Sequence, residues 1–243
     1  MITARGERVL SLQGCLPGLK LHEMSKGRLT SEDRRLQIIR KAAEVFSLRG
    51  AEGTRTRDIA EACGINEALL YKHFQCKDDL YREAMVQAYD EAASSWPELA
   101  KDQPDGLHAF VAVLKAQLTT LSENPKLCAN MWHGVASTTH DPIMHDLIKD
   151  RFERYHRFLR ELIAEGIRDG SVKPGLDPDL IAWFVRGIVW TFILRVVLDL
   201  EAGETAGDPA SFCRAIAERY AADPASLHAV IGEVEGREGP AID

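Results

Sequence analysis

The segment from Asn66 to Phe74 combines side chains that can read nucleic-acid bases with the spacing of a short helix. Leu70 and Phe74 lie about one helical turn apart and can pack against the same core. Five other side chains would then face outward: Glu67, Ala68, Leu69, Tyr71 and Lys72. A helix this short can insert its N-terminal end into a DNA major groove, which is roughly 12 Å wide.

Three of these outward side chains have a chemistry that suits particular bases. Glu67 can accept a hydrogen bond from the amino group of cytosine, and Leu69 can contact the methyl group of thymine. Lys72 can reach guanine or a phosphate. Because a carboxylate near phosphates lowers affinity unless it is paired, a DNA contact by Glu67 and its absence are both open.

Hydroxyl and cationic groups flank the segment at places where phosphates would run. Thr56 and Arg57 open the preceding helix, where free backbone N–H groups also favour an anion. Lys77 lies at the start of the following helix and can contact phosphate in the same way. These positions predict contacts that hold the protein on DNA without reading its sequence.

Three helices must position these groups. A first helix is predicted from about residue 30 to residue 50, because a capping hydroxyl precedes acidic residues and apolar residues then recur at helical spacing. A second covers Thr54 to Ala62, Gly64 lies in the turn that follows, and Asn66 caps the third. Two short helices bury too little surface alone, so the first helix must brace them.

The motifs across these helices are Ala42-Ala43-x-x-Phe46, Asp58-Ile59-Ala60, Gly64-Ile65-Asn66 and Leu70-Tyr71-x-His73-Phe74-x-x-Lys77. Together they resemble the TetR family of one-component transcriptional regulators. The resemblance implies an all-α protein, with an N-terminal three-helix DNA-binding domain and a C-terminal helical domain for effector binding and dimerisation. It also implies that Tyr71 and His73 contact phosphate. Family members often carry Thr or Ser where Leu69 stands.

The same resemblance implies a function. Such a protein binds double-stranded DNA at a palindromic operator, as a repressor that a small-molecule effector releases. A DNA-binding module that needs no effector is an alternative that the sequence leaves open.

Beyond Lys77 every strongly periodic segment has helical spacing. Asp141-Pro142 and Asp177-Pro178 mark two helix starts, because Asp can cap a helix and Pro fits its first turn. We predict four parts of the chain: a flexible arm at 1–28, the helix-turn-helix domain at 29–77, a helical ligand-binding and dimerisation domain at 78–235, and a tail at 236–243.

The stretch 178–200 is apolar on nearly every side. Arg186 and Arg195 lie within it and would be costly in a bilayer, which favours a buried helix of a soluble protein over a membrane span. One domain of this size cannot cover every face of such a helix. We therefore predict a homodimer through the helices at 178–200 and 209–231, packed as a four-helix bundle, without a membrane partner.

Aromatic and polar side chains recur on the helices after Lys77. Core packing explains many of them, whereas the resemblance implies an effector pocket among these helices, with Trp132, His133, Tyr155 and His156 as orienting groups. The candidate pocket residues are Tyr89, Phe110, Met131, Trp132, His133, Phe152, Tyr155, His156, Trp183 and Trp190.

The charge is distributed unevenly along the chain. Its net value is −7, but residues 1–77 hold 14 Lys and Arg against 9 Asp and Glu. A basic end on an acidic body suits a small nucleic-acid-binding domain. The odd number of scattered cysteines and the lack of a continuous apolar leader predict a reduced, cytoplasmic protein.

Metal and enzyme functions have weaker support. His133, His140, Asp141 and His145 lie close in sequence, but no further ligand pattern completes a metal site. Glu153 and His156 form one Glu-x-x-His without the second copy that di-iron bundles need. Nucleophile-elbow, phosphate-loop and dinucleotide motifs are absent, so we expect no enzyme, metal or cofactor; a helical metal-dependent enzyme is the remote alternative.

Overall fold

A computed structural model describes residues 30–200 and 208–223 of the chain. The predicted arm at 1–28, the end of the last predicted dimer helix and the tail at 236–243 lie outside the described residues. The described part is helical, which confirms the predicted fold class. Its helices are α1 (Ser31–Arg49), α2 (Thr56–Cys63), α3 (Glu67–His73), α4 (Lys77–Ala93), α5 (Trp96–Lys101), α6 (Gly106–Glu123), α7 (Pro125–Ser137), α8 (Pro142–Asp169), α9 (Pro178–Val197) and α10 (Pro209–Tyr220).

Local capping signals set several helix ends where the sequence predicts them. The Thr30 side chain accepts from the backbone N–H of Asp33 at the start of α1. Asp141 and Asp177 cap α8 and α9, each followed by a proline in the first turn. Gly170 ends α8 in the left-handed conformation, at φ 85°.

Two helix predictions need correction. The second helix begins at Thr56 rather than Thr54, because the Thr54 side chain is buried and its hydroxyl donates to the main-chain oxygen of Gly50 at 2.8 Å. The sequence also misses α5. Pro97 lies in the first turn of this short helix, where its missing N–H costs nothing.

The apolar residues form two clusters. The head cluster joins α1, α2 and α3 to the first half of α4 and to Met144 and Ile148 of α8. The body cluster joins α6, α8, α9 and α10, with contributions from α5 and α7. We call α1 to α3 the head and α5 to α10 the body. α4 packs in the head cluster through Leu80, Tyr81, Ala84 and Met85, and therefore connects the two.

Two glycines let α6 and α8 approach closely. A Cβ atom on Gly106 would lie 2.2 Å from the backbone nitrogen of Gly166, so no larger residue fits at this crossing. The Gly106 N–H donates to Asp169 at 2.7 Å. This contact fixes the two helices that form much of the body.

The apolar helix α9 buries one face and exposes the other. Ile181, Val185 and Val189 are buried, whereas Leu180, Trp183, Phe184 and Leu198 are exposed. Among the described helices it is the one long and apolar enough to cross a membrane, a test that core helices of soluble proteins also pass. The sequence predicts a helix buried on nearly every side, and within the described residues one face of α9 is buried.

Candidate DNA-binding face and effector cavity

The helix α3 presents a polar face outside the head. Asn66 caps it by accepting from the backbone N–H of Leu69 at 2.8 Å, and Leu70 and Phe74 are buried in the head cluster. Glu67, Ala68, Tyr71 and Lys72 are exposed, as the helical spacing predicts, while Leu69 is half-buried. The outward groups therefore share one side of a short, braced helix.

A hydrogen-bond network joins this face to the start of α2. The Thr56 hydroxyl donates to the Glu67 carboxylate at 2.6 Å, and the Tyr71 hydroxyl lies 3.4 Å from the Thr56 oxygen. The sequence predicts a DNA contact for each of these three residues separately, but it does not reveal the network that joins them. Through this network Glu67 gains a hydrogen-bond donor, and the hydroxyl proton of Thr56 is already shared with Glu67.

The remaining phosphate candidates differ in their accessibility. Arg57 is exposed and its Nε donates to Glu61 at 2.8 Å, which raises the pKa of the guanidinium. His73 is half-buried beside Phe74, with ring centroids 6.4 Å apart. Both can face a duplex without a change in the helices that carry them.

Lys77 occupies a different environment from the one expected. Its ammonium group donates to the main-chain oxygens of Ala51 and Thr54, at 2.7 and 3.1 Å, and is half-buried. Lys77 therefore holds the loop between α1 and α2 in place. A phosphate contact by this residue remains a prediction, limited to the one ammonium hydrogen that these carbonyls leave.

A cavity of about 290 Å³ lies in the body between α4, α6, α7, α8 and α9. Five of the candidate pocket residues line it: Tyr89, Met131, Phe152, Tyr155 and Trp190. Most of the remaining wall is apolar, including Trp96, Leu121, Leu127, Ile148, Phe158 and Val189. Three charged residues also line the cavity, and they pair with one another: Asp90, Arg151 and Arg154. The lining suits a largely apolar ligand.

The other five candidates do not line this cavity. Phe110 is buried in the body cluster, and Trp132 is 43% exposed on the surface of α7. His133 lies against the end of α1, where a Cβ on Gly50 would be 3.3 Å from its Nδ1. His156 and Trp183 line a second groove outside α8, with ring centroids 4.7 Å apart. Helical spacing shows which residues share a face of one helix. It does not show which neighbouring helix covers that face, so it could not separate these five residues from those that line the cavity.

The cavity wall also contains a buried charged group, Arg186, which the sequence does not single out as a pocket residue. This side chain is 5% exposed. One Nη donates to the main-chain oxygen of Phe152 at 2.8 Å, and Cζ lies 3.1 Å from the Phe152 ring centroid. Its buried Nε has no partner in the described part of the chain. Burial lowers the pKa of Arg186 to about 10. An arginine within an apolar helix was the signal available in the sequence.

Two further polar groups meet near Arg186. The Tyr155 hydroxyl donates to the side-chain oxygen of Gln117, which is 6% exposed, and the Tyr155 ring packs 4.7 Å from Trp96. Burial raises the pKa of the Tyr155 and Tyr89 hydroxyls, so both stay neutral. The cavity therefore contains hydrogen-bonding groups at a few points of an apolar wall.

The helix α4 spans the distance between the head and the cavity. Lys77, at its first turn, holds the loop that precedes α2, and Tyr89, near its end, lines the cavity. The Tyr89 hydroxyl donates to the main-chain oxygen of Met131 at 3.4 Å. A ligand that displaces the Tyr89 ring would therefore act on the same rigid element that supports the head.

Several of the side chains considered as metal ligands have other partners in the structure. Asp141 caps α8 and pairs with Arg82 at 2.8 Å, while His145 lies beside Asp146. His156 pairs with Asp179 at 2.9 Å rather than with a second carboxylate motif. Within residues 30–200 and 208–223, no three His, Cys, Asp or Glu side chains form a group that could hold a metal ion.

An exposed helix braced by two others, joined by one connecting helix to a body with an internal cavity, is the architecture of a one-component helix-turn-helix regulator. Residues 38–84 match the family of bacterial regulatory proteins of the TetR type, and residues 107–223 match the C-terminal domain of BetI-type transcriptional repressors. The chain belongs to the TetR family of DNA-binding transcriptional regulators. The resemblance inferred from the motifs is confirmed.

Individual relatives are distant. The HTH-type transcriptional repressor KstR2 of Mycolicibacterium smegmatis is 26% identical over 160 residues, 66% of this chain and 78% of that protein. The regulator FadR of Bacillus subtilis, solved with stearoyl-CoA, has a TM-score of 0.63 and 20% identity, over 75% of this chain and 95% of that one. AibR, solved with isovaleryl coenzyme A and operator DNA, has a TM-score of 0.60 and 21% identity, over 76% and 97%.

Proposed function

We propose that this protein is a cytoplasmic, dimeric repressor that binds a palindromic operator through α3 and is released by a small-molecule effector in the body cavity. The observation that carries the proposal is the exposed face of α3, where Glu67, Ala68, Tyr71 and Lys72 lie outside a packed three-helix head. Relatives named as repressors, and AibR with its operator DNA, support the same function.

On DNA, the two sets of residues have different roles. Glu67, Leu69 and Lys72 face base edges, while Thr56, Arg57, Tyr71 and His73 lie toward phosphates. A dimer would place two α3 helices in successive major grooves, about 34 Å apart. The operator should therefore be a pseudo-palindrome whose half-sites lie one helical turn apart.

The exposed row on α9 supports the dimer. Leu180, Trp183, Phe184 and Leu198 are each at least half exposed and recur at helical spacing. A continuous apolar face of this kind is costly in water unless a second copy covers it. We place the isologous interface on this face and on α10, in agreement with the prediction from the sequence.

The route from effector to DNA follows α4. A ligand in the cavity moves Tyr89 and the second half of α4, and the first half of α4 carries the head cluster. The separation of the two heads then departs from the operator spacing, which weakens DNA binding. The cavity favours this function over a DNA-binding module that needs no effector, because such a module has no use for a ligand site.

DNA binding is tested by selecting bound duplexes from a fragmented genome and titrating the selected site with salt. We expect nanomolar-range binding that weakens steeply with salt, as for specific protein–DNA complexes at roughly 10⁻⁸ to 10⁻¹¹ M. Tyr71→Ala and Lys72→Ala should each weaken binding roughly 5- to 150-fold, by about 1–3 kcal/mol. Lys149→Ala, on the exposed face of α8, is the control that should bind as wild type.

Two outcomes would reject the proposal. One is a purified protein that binds no duplex at low salt, and the other is wild-type affinity in both the Tyr71 and the Lys72 variants. If no compound in a metabolite panel raises the melting temperature, the proposed DNA binding still stands. That result would favour the DNA-binding module that needs no effector.

A further inference from the structure

Arg186 is a buried cation without a counter-charge in the described part of the chain. It is 5% exposed, and its polar contacts there are one main-chain oxygen and two aromatic rings, those of Phe152 and Tyr155. Buried charges in proteins are normally paired with an opposite charge or neutralised, because desolvation of an isolated ion is costly. An arginine holds its proton far above neutral pH, so neutralisation is not an option here.

A negatively charged ligand in the cavity can reach Arg186 and pair with it. Arg186 lines the cavity, and the guanidinium Nε has no hydrogen-bond partner in the described residues. Gln117 lines the same cavity, and its side-chain oxygen already accepts from Tyr155, so the donors of its amide nitrogen are the group it offers a ligand. An acceptor with a negative charge would satisfy both residues.

We propose that the cavity binds an apolar molecule with a single carboxylate, which pairs with Arg186. The idea that this acid is the effector rests on the proposed function, whereas its binding to the cavity does not. Arginine and carboxylate form short, charge-assisted hydrogen bonds that are about twice as strong as neutral ones. The rest of the ligand lies against Leu121, Phe158, Val189 and Trp190.

Other ligand chemistries fit the cavity less well. A cationic ligand would add a second positive charge beside a buried one, and Asp90, the carboxylate in the lining, already pairs with Arg151 at 2.9 Å. A neutral ligand would leave Arg186 unpaired in a drier site. A phosphate carries up to two charges for one guanidinium. The cavity volume of about 290 Å³ lies at the small end of ligand pockets, which span roughly 300–1,000 Å³, and suits a small apolar acid.

The test uses the purified full chain without DNA and a series of matched probes. Straight-chain acids from hexanoate to hexadecanoate are compared with the primary alcohols and trimethylammonium salts of equal length, by calorimetry and thermal shift below micellar concentrations. We expect one chain length to bind best as the acid, about tenfold or more tighter than its alcohol, and the ammonium series not to bind. If no acid of any length is preferred over its alcohol, the proposal is wrong.

Substitution of the arginine isolates its contribution. Arg186→Met keeps length and removes charge, and replacing a buried unpaired ion with an apolar side chain is compatible with folding. We expect the preference for acid over alcohol to disappear, while the alcohol binds as well as before. Arg168→Met, on the exposed side of α8, should keep the wild-type preference. Preserved acid preference in Arg186→Met would give Arg186 a structural role only.

The coenzyme A thioester of the best acid separates two forms of the ligand. Its carbonyl has no negative charge, so we expect it to bind more weakly than the free acid. Tighter binding of the thioester, insensitive to Arg186→Met, would overturn the proposal. Because all these measurements omit DNA, their failure leaves the repressor function standing, and failure of operator binding leaves the carboxylate site standing.

Discussion

Asn130, on α7, donates a hydrogen bond from Nδ2 to the main-chain oxygen of Ala43, on α1, at 3.1 Å. The Asn130 side chain is 5% exposed, and its Oδ1 has no partner in the described residues. This bond joins the body directly to the head, beside the longer connection through α4. Any rearrangement that swings the head must therefore stretch or break it.

The first prediction concerns this bond. Asn130→Leu loses one buried hydrogen bond, worth about 1 kcal/mol, and also removes an unsatisfied buried oxygen, so the free energy of unfolding should change by less than about 1 kcal/mol. Asn130→Asp places a carboxylate against the Ala43 carbonyl and should cost about 2 kcal/mol or more. Urea denaturation of the pair measures both; equal losses in the two variants would mean that Asn130 is not bonded to α1.

The second prediction separates Lys77 from Lys72, two lysines of the DNA-facing side. Lys77→Met should lower the free energy of unfolding by about 1.5–3 kcal/mol, because it removes hydrogen bonds from a charged group to two loop carbonyls. Lys72→Met should change stability by less than about 0.5 kcal/mol, as exposed substitutions do, while it weakens DNA binding. Denaturation and anisotropy titrations of both variants test the contrast, and a stable Lys77→Met would remove the proposed bracing role.

The sequence predicts the helices well where the signal is local. The cap at Thr30 and the Asp-Pro pair at Asp141 each act within a few residues, so the starts of α1 and α8 follow from neighbours along the chain. Pro97 shows the limit, since proline both follows helices and opens them, and only packing of Trp96 into the body decides between the two.

In the candidate sites, too, local spacing predicts some features and the packing of distant segments determines others. Exposure of Tyr71 and burial of Leu70 follow from spacing on one helix, and both were predictable. The Lys77 contacts with Ala51 and Thr54, and the position of Arg186 over Phe152, depend on how distant segments pack. Periodicity does not show which distant segments pack together. The sequence therefore predicts a phosphate contact for Lys77 and does not indicate that Arg186 lines the cavity.

The third prediction concerns Glu67, whose carboxylate lies on the DNA-facing side and accepts from Thr56. Glu67→Gln keeps an oxygen for that hydrogen bond and removes a negative charge that repels phosphates. Affinity for non-specific duplexes should rise about two- to tenfold at low salt. The increase should disappear at high salt, because salt screens the repulsion between the Glu67 carboxylate and the phosphates. If Glu67 reads a cytosine, affinity for the selected operator falls instead, so binding to the two duplexes must be compared.

The fourth prediction tests the exposed face of α9. Phe184, at 60%, is the most exposed of the four apolar side chains named on this face. Phe184→Glu should convert a dimer to a monomer because a buried unpaired charge costs several kcal/mol at an interface. Ile143→Glu, at a 55% exposed apolar residue on α8, should leave the dimer intact. Light scattering after size exclusion gives both masses. A dimeric Phe184→Glu protein would place the interface elsewhere.

The fifth prediction concerns acid stability at the junction of α4 and α8, where Arg82 donates to Asp141 at 2.8 Å. Burial alone would raise the pKa of Asp141, but the Arg82 hydrogen bond and the backbone N–H groups of Met144 and Ile143 hold it below its ordinary value. A carboxylate whose pKa is lower in the folded state stabilises the protein above its unfolded pKa, about 3.9. This contribution is lost as pH falls through the folded-state value.

Asp141→Asn isolates that contribution, because asparagine caps a helix about as well as aspartate but carries no charge. At pH 7 the variant should be about 1–3 kcal/mol less stable than wild type, the loss expected when a hydrogen bond to a charged group is weakened. The difference should be constant from pH 7 to about 5 and shrink below about pH 4, since protonation then removes the same charge from the wild-type protein. Urea denaturation at each pH measures it. A difference that persists unchanged to pH 2.5 would show that the stability lost in the variant does not come from the charge paired with Arg82.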